Sequence, residues 1–183
     1  MRKSNIPLMK VACILLLTTV AILGFSKGEK SNNSSSTNVD YSNQIKQIES
    51  EDIKLVESIV SNFGQRLKMV SVLATEDIVI KDIERYYSQF ISTELLEKWK
   101  ESPQSIPGRY TSSPWPDRIE IFNVRRISEN EYEVKGEIVE VTSSGMSSEE
   151  AVSKIPLILK VTKNGEKWAI DDVIIDENSI YGK

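Results

Sequence analysis

The stretch 118–141, RIEIFNVRRISENEYEVKGEIVEV, decides the fold. Its apolar side chains recur at every second position, which is the spacing of a β-strand that has one face in the core. Turn-forming residues, Ser-Glu-Asn at 128–130, separate two such runs. We therefore predict two antiparallel strands, over 118–126 and 131–141, joined by a short turn.

The second of these strands has apolar residues of both parities. They are Tyr132, Val134 and Ile138 on one face, and Val139 and Val141 on the other. A residue inserted into one strand of an antiparallel pair changes the parity, forms a β-bulge and bends the sheet. We expect that bulge near Gly136 or Ile138, so the sheet is predicted to be curved.

Two further strands follow. Apolar residues alternate over 155–161, and Asn164–Gly165 is the strongest hairpin signal in the chain. A run rich in apolar residues, 168–175, comes directly after this turn. The second half of the chain is therefore predicted to form a four-stranded antiparallel sheet.

The residues before the sheet have helical spacing. From Ile53 to Leu73 apolar residues recur at three or four positions, and Ser50 is a plausible N-cap for this helix. Thr75 begins a second predicted helix, and Ser92 or Thr93 begins a third that stops before Pro103. Two or three helices followed by strands define the α+β class, with the helices packed on the curved sheet.

The N-terminal region, 1–26, has the pattern of an export signal. Three basic residues precede an uncharged run over 11–25, VACILLLTTVAILGF. Gly24 and Ser26 fit a cleavage site, and a retained membrane anchor remains open as well. In both cases basic residues stay on the cytoplasmic side, so everything after residue 26 is predicted to lie outside the cytoplasm.

Composition divides the rest of the chain. Residues 27–49 are rich in Ser and Asn and poor in apolar side chains, so we predict a disordered linker before a folded domain over 50–183. All 27 acidic residues and all but three of the 23 basic residues lie in 27–183, which leaves a net charge of −7 there. This charge argues against a nucleic-acid partner and against an anionic membrane surface, so membrane contact is expected only through the N-terminal segment.

Familiar catalytic arrangements are excluded by composition. The chain has no histidine, and Cys13, its one cysteine, lies in the apolar N-terminal run. Neither Ser-His-Asp nor Cys-His chemistry can therefore be assembled, and a zinc site would lack its preferred nitrogen and sulfur ligands. We predict a protein that is not an enzyme and that needs no metal or cofactor.

The predicted order of elements resembles the nuclear transport factor 2-like superfamily, a cystatin-like α+β cone. The resemblance covers residues 50–178 and rests on this order and on three local patterns, which are Tyr86–Tyr87, Leu95–Leu96–Trp99 and Lys167–Trp168–Ala169–Ile170–Asp171. It implies a sheet that wraps a long helix into a cone. The superfamily includes isomerases and dehydratases that act on small apolar molecules, and also non-enzymatic modules of envelope and secretion proteins.

Two places are candidates for binding. Within the resemblance, one side chain of the second helix or the last strand is a candidate to point into the cone, and the candidates are Tyr86, Tyr87, Asp82 and Asp171. The favoured alternative is that Tyr87 packs in the core while Asp82 and Asp171 are solvated. The second place is the loop over 106–118, where three prolines stiffen the chain. It holds the other predicted ligand-binding or partner-binding residues, which are Arg109, Tyr110 and Trp115. The favoured alternative is that Trp115 folds back as a lid on the core while Asp117 or Arg118 pairs locally.

These observations favour a bacterial protein that is exported or tethered to the membrane. We expect a non-catalytic protein-interaction module of the cell envelope that binds a protein partner, including a second copy as a homodimer. The alternative is a binding protein for a small apolar ligand, or an isomerase-like or dehydratase-like enzyme with a buried carboxylate in the cone.

Overall fold

Three helices and then four strands follow one another along the chain. A computed structural model describes residues 36–103, 106–143 and 152–175. This α+β architecture, with the helices before a four-stranded antiparallel sheet, confirms the predicted fold class. The elements are α1 (Ser36–Arg66), α2 (Glu76–Tyr86), α3 (Thr93–Glu101), β1 (Trp115–Ser128), β2 (Glu131–Val141), β3 (Ser153–Asn164) and β4 (Lys167–Ile175).

The sheet is a simple meander in the order β1-β2-β3-β4, and it packs its inner face against the helices. Buried side chains of the sheet alternate with exposed ones, as the period of two requires. The inner face contributes Ile119, Tyr132, Val134, Ile138, Ile155, Leu157, Leu159, Val161, Trp168 and Ile170. The helices, with the short 3-10 turn Leu67–Met69 that follows α1, contribute Val56, Val60, Phe63, Leu67, Val79, Ile83, Leu95 and Trp99. Each such side chain, when fully buried, stabilises the fold by about 1.5–3 kcal/mol.

The predicted bulge lies on the neighbouring strand. From Glu131 to Glu140, β2 pairs with β3 without interruption, whereas the register of β1 with β2 shifts between Ile121 and Asn123. The register therefore shifts beside Gly136, as predicted, but the extra residue is Phe122 on β1 and not a residue of β2. Gly136 permits the close approach, because a methyl group in its place would collide with the carbonyl oxygen of residue 120.

Helix α1 begins at Ser36 instead of the predicted Ser50. Part of the predicted disordered linker, 36–49, is therefore helical. Ile45 and Ile48 continue the helical spacing of the domain toward the N-terminus, and neither glycine nor proline interrupts 36–49. The remainder of the predicted linker and the whole predicted export signal lie outside the described residues. Within the parts of the chain that the structure describes, no helix is both long and apolar enough to cross a membrane.

The free edge of β4 is partly covered by the chain between α2 and α3. The amide of Ser92 donates to the carbonyl oxygen of Ile170 at 2.8 Å, and the amide of Ile170 donates to the carbonyl oxygen of Phe90 at 2.8 Å. Ser92 also caps α3, because its Oγ accepts a hydrogen bond from the Leu95 amide at 3.1 Å. One serine thus both begins a helix and fixes it to the sheet.

Gly64 sets the distance between α1 and the sheet. A Cβ atom at this position would lie 2.6 Å from the backbone nitrogen of Ile119 and 2.9 Å from its Cβ atom. Helix and strand backbones therefore approach each other more closely than any other residue at position 64 allows. This contact presses the apolar face of α1 onto β1.

We predict that Gly64→Ala destabilises the protein, although alanine is the better helix former by about 1 kcal/mol. The clash with β1 forces the helix away from the sheet, and overpacking of this kind costs about 1–3 kcal/mol. Urea unfolding of the purified variants measures the change. Gln65→Ala, at an exposed position of the same helix, is the control and should leave the free energy of unfolding nearly unchanged. A Gly64→Ala protein as stable as the wild type would contradict the close approach.

Candidate functional site

Three aromatic rings fill the space between the helices. The ring centroids of Phe63 and Tyr87 are 5.0 Å apart, those of Tyr87 and Trp99 are 5.9 Å apart, and those of Phe63 and Trp99 are 6.2 Å apart. All three side chains are almost completely buried. The side chains that would line a binding cavity here instead pack against one another.

Tyr87, a predicted ligand-binding residue, holds a loop in place. Its Oη donates to the carbonyl oxygen of Pro107 at 2.7 Å. Burial, with contributions from Tyr110 and Asp82, raises the pKa of the Tyr87 phenol well above its ordinary value. The hydroxyl is therefore a neutral donor under physiological conditions, and it is already engaged by the protein.

The proline-containing loop is tied down at several points. The amide of Arg109 donates to the carbonyl oxygen of Val70 at 2.8 Å, and the Val72 amide donates to the carbonyl oxygen of Arg109 at 3.1 Å. Tyr110 donates from Oη to the carbonyl oxygen of Ile106. Farther along, Trp115 is half-buried and begins β1 opposite Val141. The loop is therefore fixed to the segment that follows α1, at Val70 and Val72.

Asp171 lies apart from these residues. It interrupts the pairing of β4 with β3, and its Oδ2 lies 3.5 Å from Nζ of Lys160. It also lines an open polar depression of about 450 Å³ that includes Ser92, Glu94 and Lys167. The structure thus brings Tyr87, Arg109 and Tyr110 to one region, whereas Asp171 is half-exposed on another.

A polar cluster that the sequence reasoning missed connects α1 to the sheet. The carboxylate of Asp52, on α1, accepts a hydrogen bond from Nε1 of Trp168 at 3.0 Å and one from Nζ of Lys163 at 3.5 Å. The Lys163 ammonium also lies 5.2 Å from the centroid of the Trp168 ring. Asp52 is mostly buried, with 14% of its side chain exposed. These contacts of Asp52 join α1 to β3 and β4.

Tyr132 adds an unpaired hydroxyl beside this cluster. Its ring contacts Trp168 edge to face at 5.2 Å, and its buried Oη has no hydrogen-bond partner among the described residues. Burial raises the pKa of the Tyr132 phenol. The carboxylates of Asp52 and Glu49 add to the rise, and Arg126 opposes it. An unpaired buried hydroxyl costs stability, and such groups require a functional or structural explanation.

One sequence signal points to this cluster. Asp52 precedes Val56 by four residues and Phe63 by eleven, so it belongs to the apolar face of α1 and not to its solvated side. A carboxylate in the apolar stripe of a helix requires a partner across the interface. Lys163 and Trp168, on either side of the β3–β4 turn, supply it.

The outer face of the sheet combines exposed apolar side chains with charged ones around Ile158 and Ile174. A groove of about 330 Å³ crosses it and is lined by Ile127, Ile158 and Ile174 together with charged residues of both signs. Its ion pairs include Arg125–Glu133 at 3.0 Å. The groove is open to solvent.

No protein-family model matches the chain, and no curated protein matches it. The chain is similar to a crystallised protein of unknown function from Bacteroides thetaiotaomicron, with 19% sequence identity over 75% of this chain and 96% of that one, at a TM-score of 0.36. A similarity this low carries no argument about function.

Two tyrosine hydroxyls are predicted to have opposite effects on stability. Tyr132→Phe should raise the free energy of unfolding by about 1–3 kcal/mol, because it removes a buried hydroxyl that has no partner. Tyr87→Phe should lower it by about 1 kcal/mol, because it removes the hydrogen bond to Pro107. Denaturant unfolding of both variants beside the wild type provides matched controls. A loss of stability in Tyr132→Phe would mean that its hydroxyl has a partner.

Alkaline pH should unfold the protein partly through Tyr87. Its pKa is raised in the folded state, so its contribution to stability is complete below the unfolded value of about 10 and is lost as the pH rises toward the folded value. We expect the free energy of unfolding to fall with a slope that is smaller in Tyr87→Phe, by up to about 1.4 kcal/mol per pH unit. Denaturant unfolding at several alkaline pH values measures both slopes. Equal slopes would show that Tyr87 titrates normally in the folded protein.

Proposed function

We propose that the protein is a non-catalytic interaction module that binds a protein partner through the outer face of its sheet. The module lies outside the cytoplasm, where it is either released after cleavage of the N-terminal segment or tethered to the membrane by that segment. The observation that carries this proposal is the contrast between the two faces. The inner face is covered by Phe63, Tyr87, Trp99 and the rest of the core. The outer face leaves Ile158 and Ile174 in contact with solvent.

The interior supports binding of a small apolar ligand less well. A ligand site needs an apolar pocket with a few converging polar groups. Here Tyr87 donates to Pro107, and the mostly buried carboxylate of Asp52 is held by Trp168 and Lys163. An isomerase-like mechanism would need a carboxylate that faces a free cavity, and Asp52 is instead engaged on the structural contact between α1 and the sheet.

The resemblance to the nuclear transport factor 2-like superfamily agrees with this proposal through its non-enzymatic members in envelopes. The basic residues that precede the apolar run over 11–25 support export with the folded domain outside. The acidic balance of residues 27–183 supports a protein partner over nucleic acid or an anionic membrane.

Export can be tested with a single engineered thiol. In the full chain expressed in bacteria, Gln89→Cys places a cysteine at an exposed position of the domain. We expect a membrane-impermeant maleimide to label this cysteine in intact spheroplasts, while the wild-type Cys13 stays unlabelled. Labelling of Gln89→Cys only after lysis would contradict export.

The interaction surface can be tested with a photo-reactive amino acid in the same full chain. We predict discrete cross-linked adducts from position 158 on the outer face and none from position 89. Ile174→Glu in the same chain should reduce the adducts from position 158 by about tenfold, because a charge next to the probe disfavours apolar contact. Gel separation followed by mass spectrometry identifies the adducts. Equal adducts from both positions would contradict an interaction through this face.

A further inference from the structure

The apolar residues of the outer face are neighbours in the sheet. Ile158 on β3 pairs directly with Ile174 on β4, and their exposed fractions are 36% and 59%. Ile127 at the end of β1 is 44% exposed and lines the same groove. The solvated face of an antiparallel sheet is ordinarily polar, so neighbouring exposed isoleucines on it indicate a surface that is covered in function.

A row of four charged residues crosses the sheet beside these isoleucines. The register places Asp172, Lys160, Glu133 and Arg125 next to one another on β4, β3, β2 and β1. Their signs alternate from one edge to the other, in the order minus, plus, minus, plus. All four line the same groove. The side chains remain accessible, with exposed fractions between 26% and 60%.

Because the signs alternate over four strands, the same row taken in reverse order has the opposite sign at every position. The row is therefore complementary to a reversed copy of itself. Two copies that meet by the same face are related by a two-fold axis in the plane between their sheets. When the axis is parallel to the strands, each row meets the other in reverse order, so every acid faces a base. When the axis is parallel to the row, acid faces acid and base faces base. The charges therefore select the first arrangement.

The geometry points to a second copy of this chain as the partner of the outer face, in a two-fold dimer whose axis is parallel to the strands. This inference rests on the proposed interaction function and names its partner. In the dimer, Lys160 of one copy meets Glu133 of the other, and Asp172 meets Arg125. The adjacent row is reversed in the same way, so that Ile158 packs on the aliphatic stem of Lys135 of the other copy. This row consists of Ile174, Ile158, Lys135 and Asn123.

Other occupants fit this face less well. Nucleic acid and anionic membranes require a surface of one positive sign, and this row contains as many acids as bases. The exposed isoleucines supply apolar burial, while the charges fix the orientation and disfavour other orientations. A second copy of the same face supplies both the apolar contacts and the opposite charges.

Co-purification of two tagged copies tests the dimer. Full-length chains with different C-terminal tags are co-expressed, and one tag is used to recover the other. Wild-type copies should co-purify. When both copies carry Lys160→Glu, the amount of the second copy that is recovered should fall by about tenfold or more. The same is expected when both carry Glu133→Lys, because each substitution places two like-charged contacts at the interface. Lys160→Glu co-expressed with Glu133→Lys should recover the wild-type level, because all four contacts are again of opposite sign.

Matched controls separate this effect from a general effect of charge. Lys54→Glu and Glu57→Lys make the same charge changes at exposed positions of α1, and each should co-purify like the wild type. Recovery in the mixed pair also establishes that both single variants fold. Failure of wild-type copies to co-purify would overturn the inference, and so would failure of the mixed pair to recover. Adducts from position 158 with a different protein would in that case leave the proposed function standing with another partner.

Discussion

The close approach of α1 to β1 at Gly64 is the constraint on which the rest of the structure depends. Because the two backbones nearly touch there, the apolar stripe of the helix lies directly on the inner face of the sheet and leaves no separation for a ligand layer. Phe63, the next residue in the helix, then meets Tyr87 and Trp99. The interior becomes a packed core, which stabilises the fold.

The two polar contacts of the core follow from this packing. The Tyr87 hydroxyl donates to the carbonyl oxygen of Pro107 in the proline-containing loop. The Asp52 carboxylate accepts from Trp168 and Lys163, where α1 meets β3 and β4. Both groups belong to residue types that do chemistry in other proteins. Here each is bound to a neighbour from another element, whereas Ile158 and Ile174 on the outer face are exposed.

Much of the fold could be predicted because it depends on local patterns. The strand over Glu131–Val141 and the helix after Thr75 were placed correctly from periodicity and capping. The bulge was misplaced because Val139 and Val141 are buried on the outer face of an uninterrupted strand, so their parity does not report an inserted residue in β2. The extra residue is Phe122 on β1. The partners of Asp52 were missed because Lys163 and Trp168 lie 111 and 116 residues away along the chain. The charge row was missed because the register between strands determines it, and no single strand shows that register. The predicted binding residues remain predictions, and they are Tyr87, Arg109, Tyr110, Trp115 and Asp171.

A crystal structure of the full chain would test the central claim, that the interior is packed and the outer face binds, most directly. The account predicts Phe63, Tyr87 and Trp99 in mutual contact and two copies joined by their outer faces, with Lys160 of one copy against Glu133 of the other. A ligand-filled cavity between α1 and the sheet, with Ile158 and Ile174 left in solvent, would contradict it.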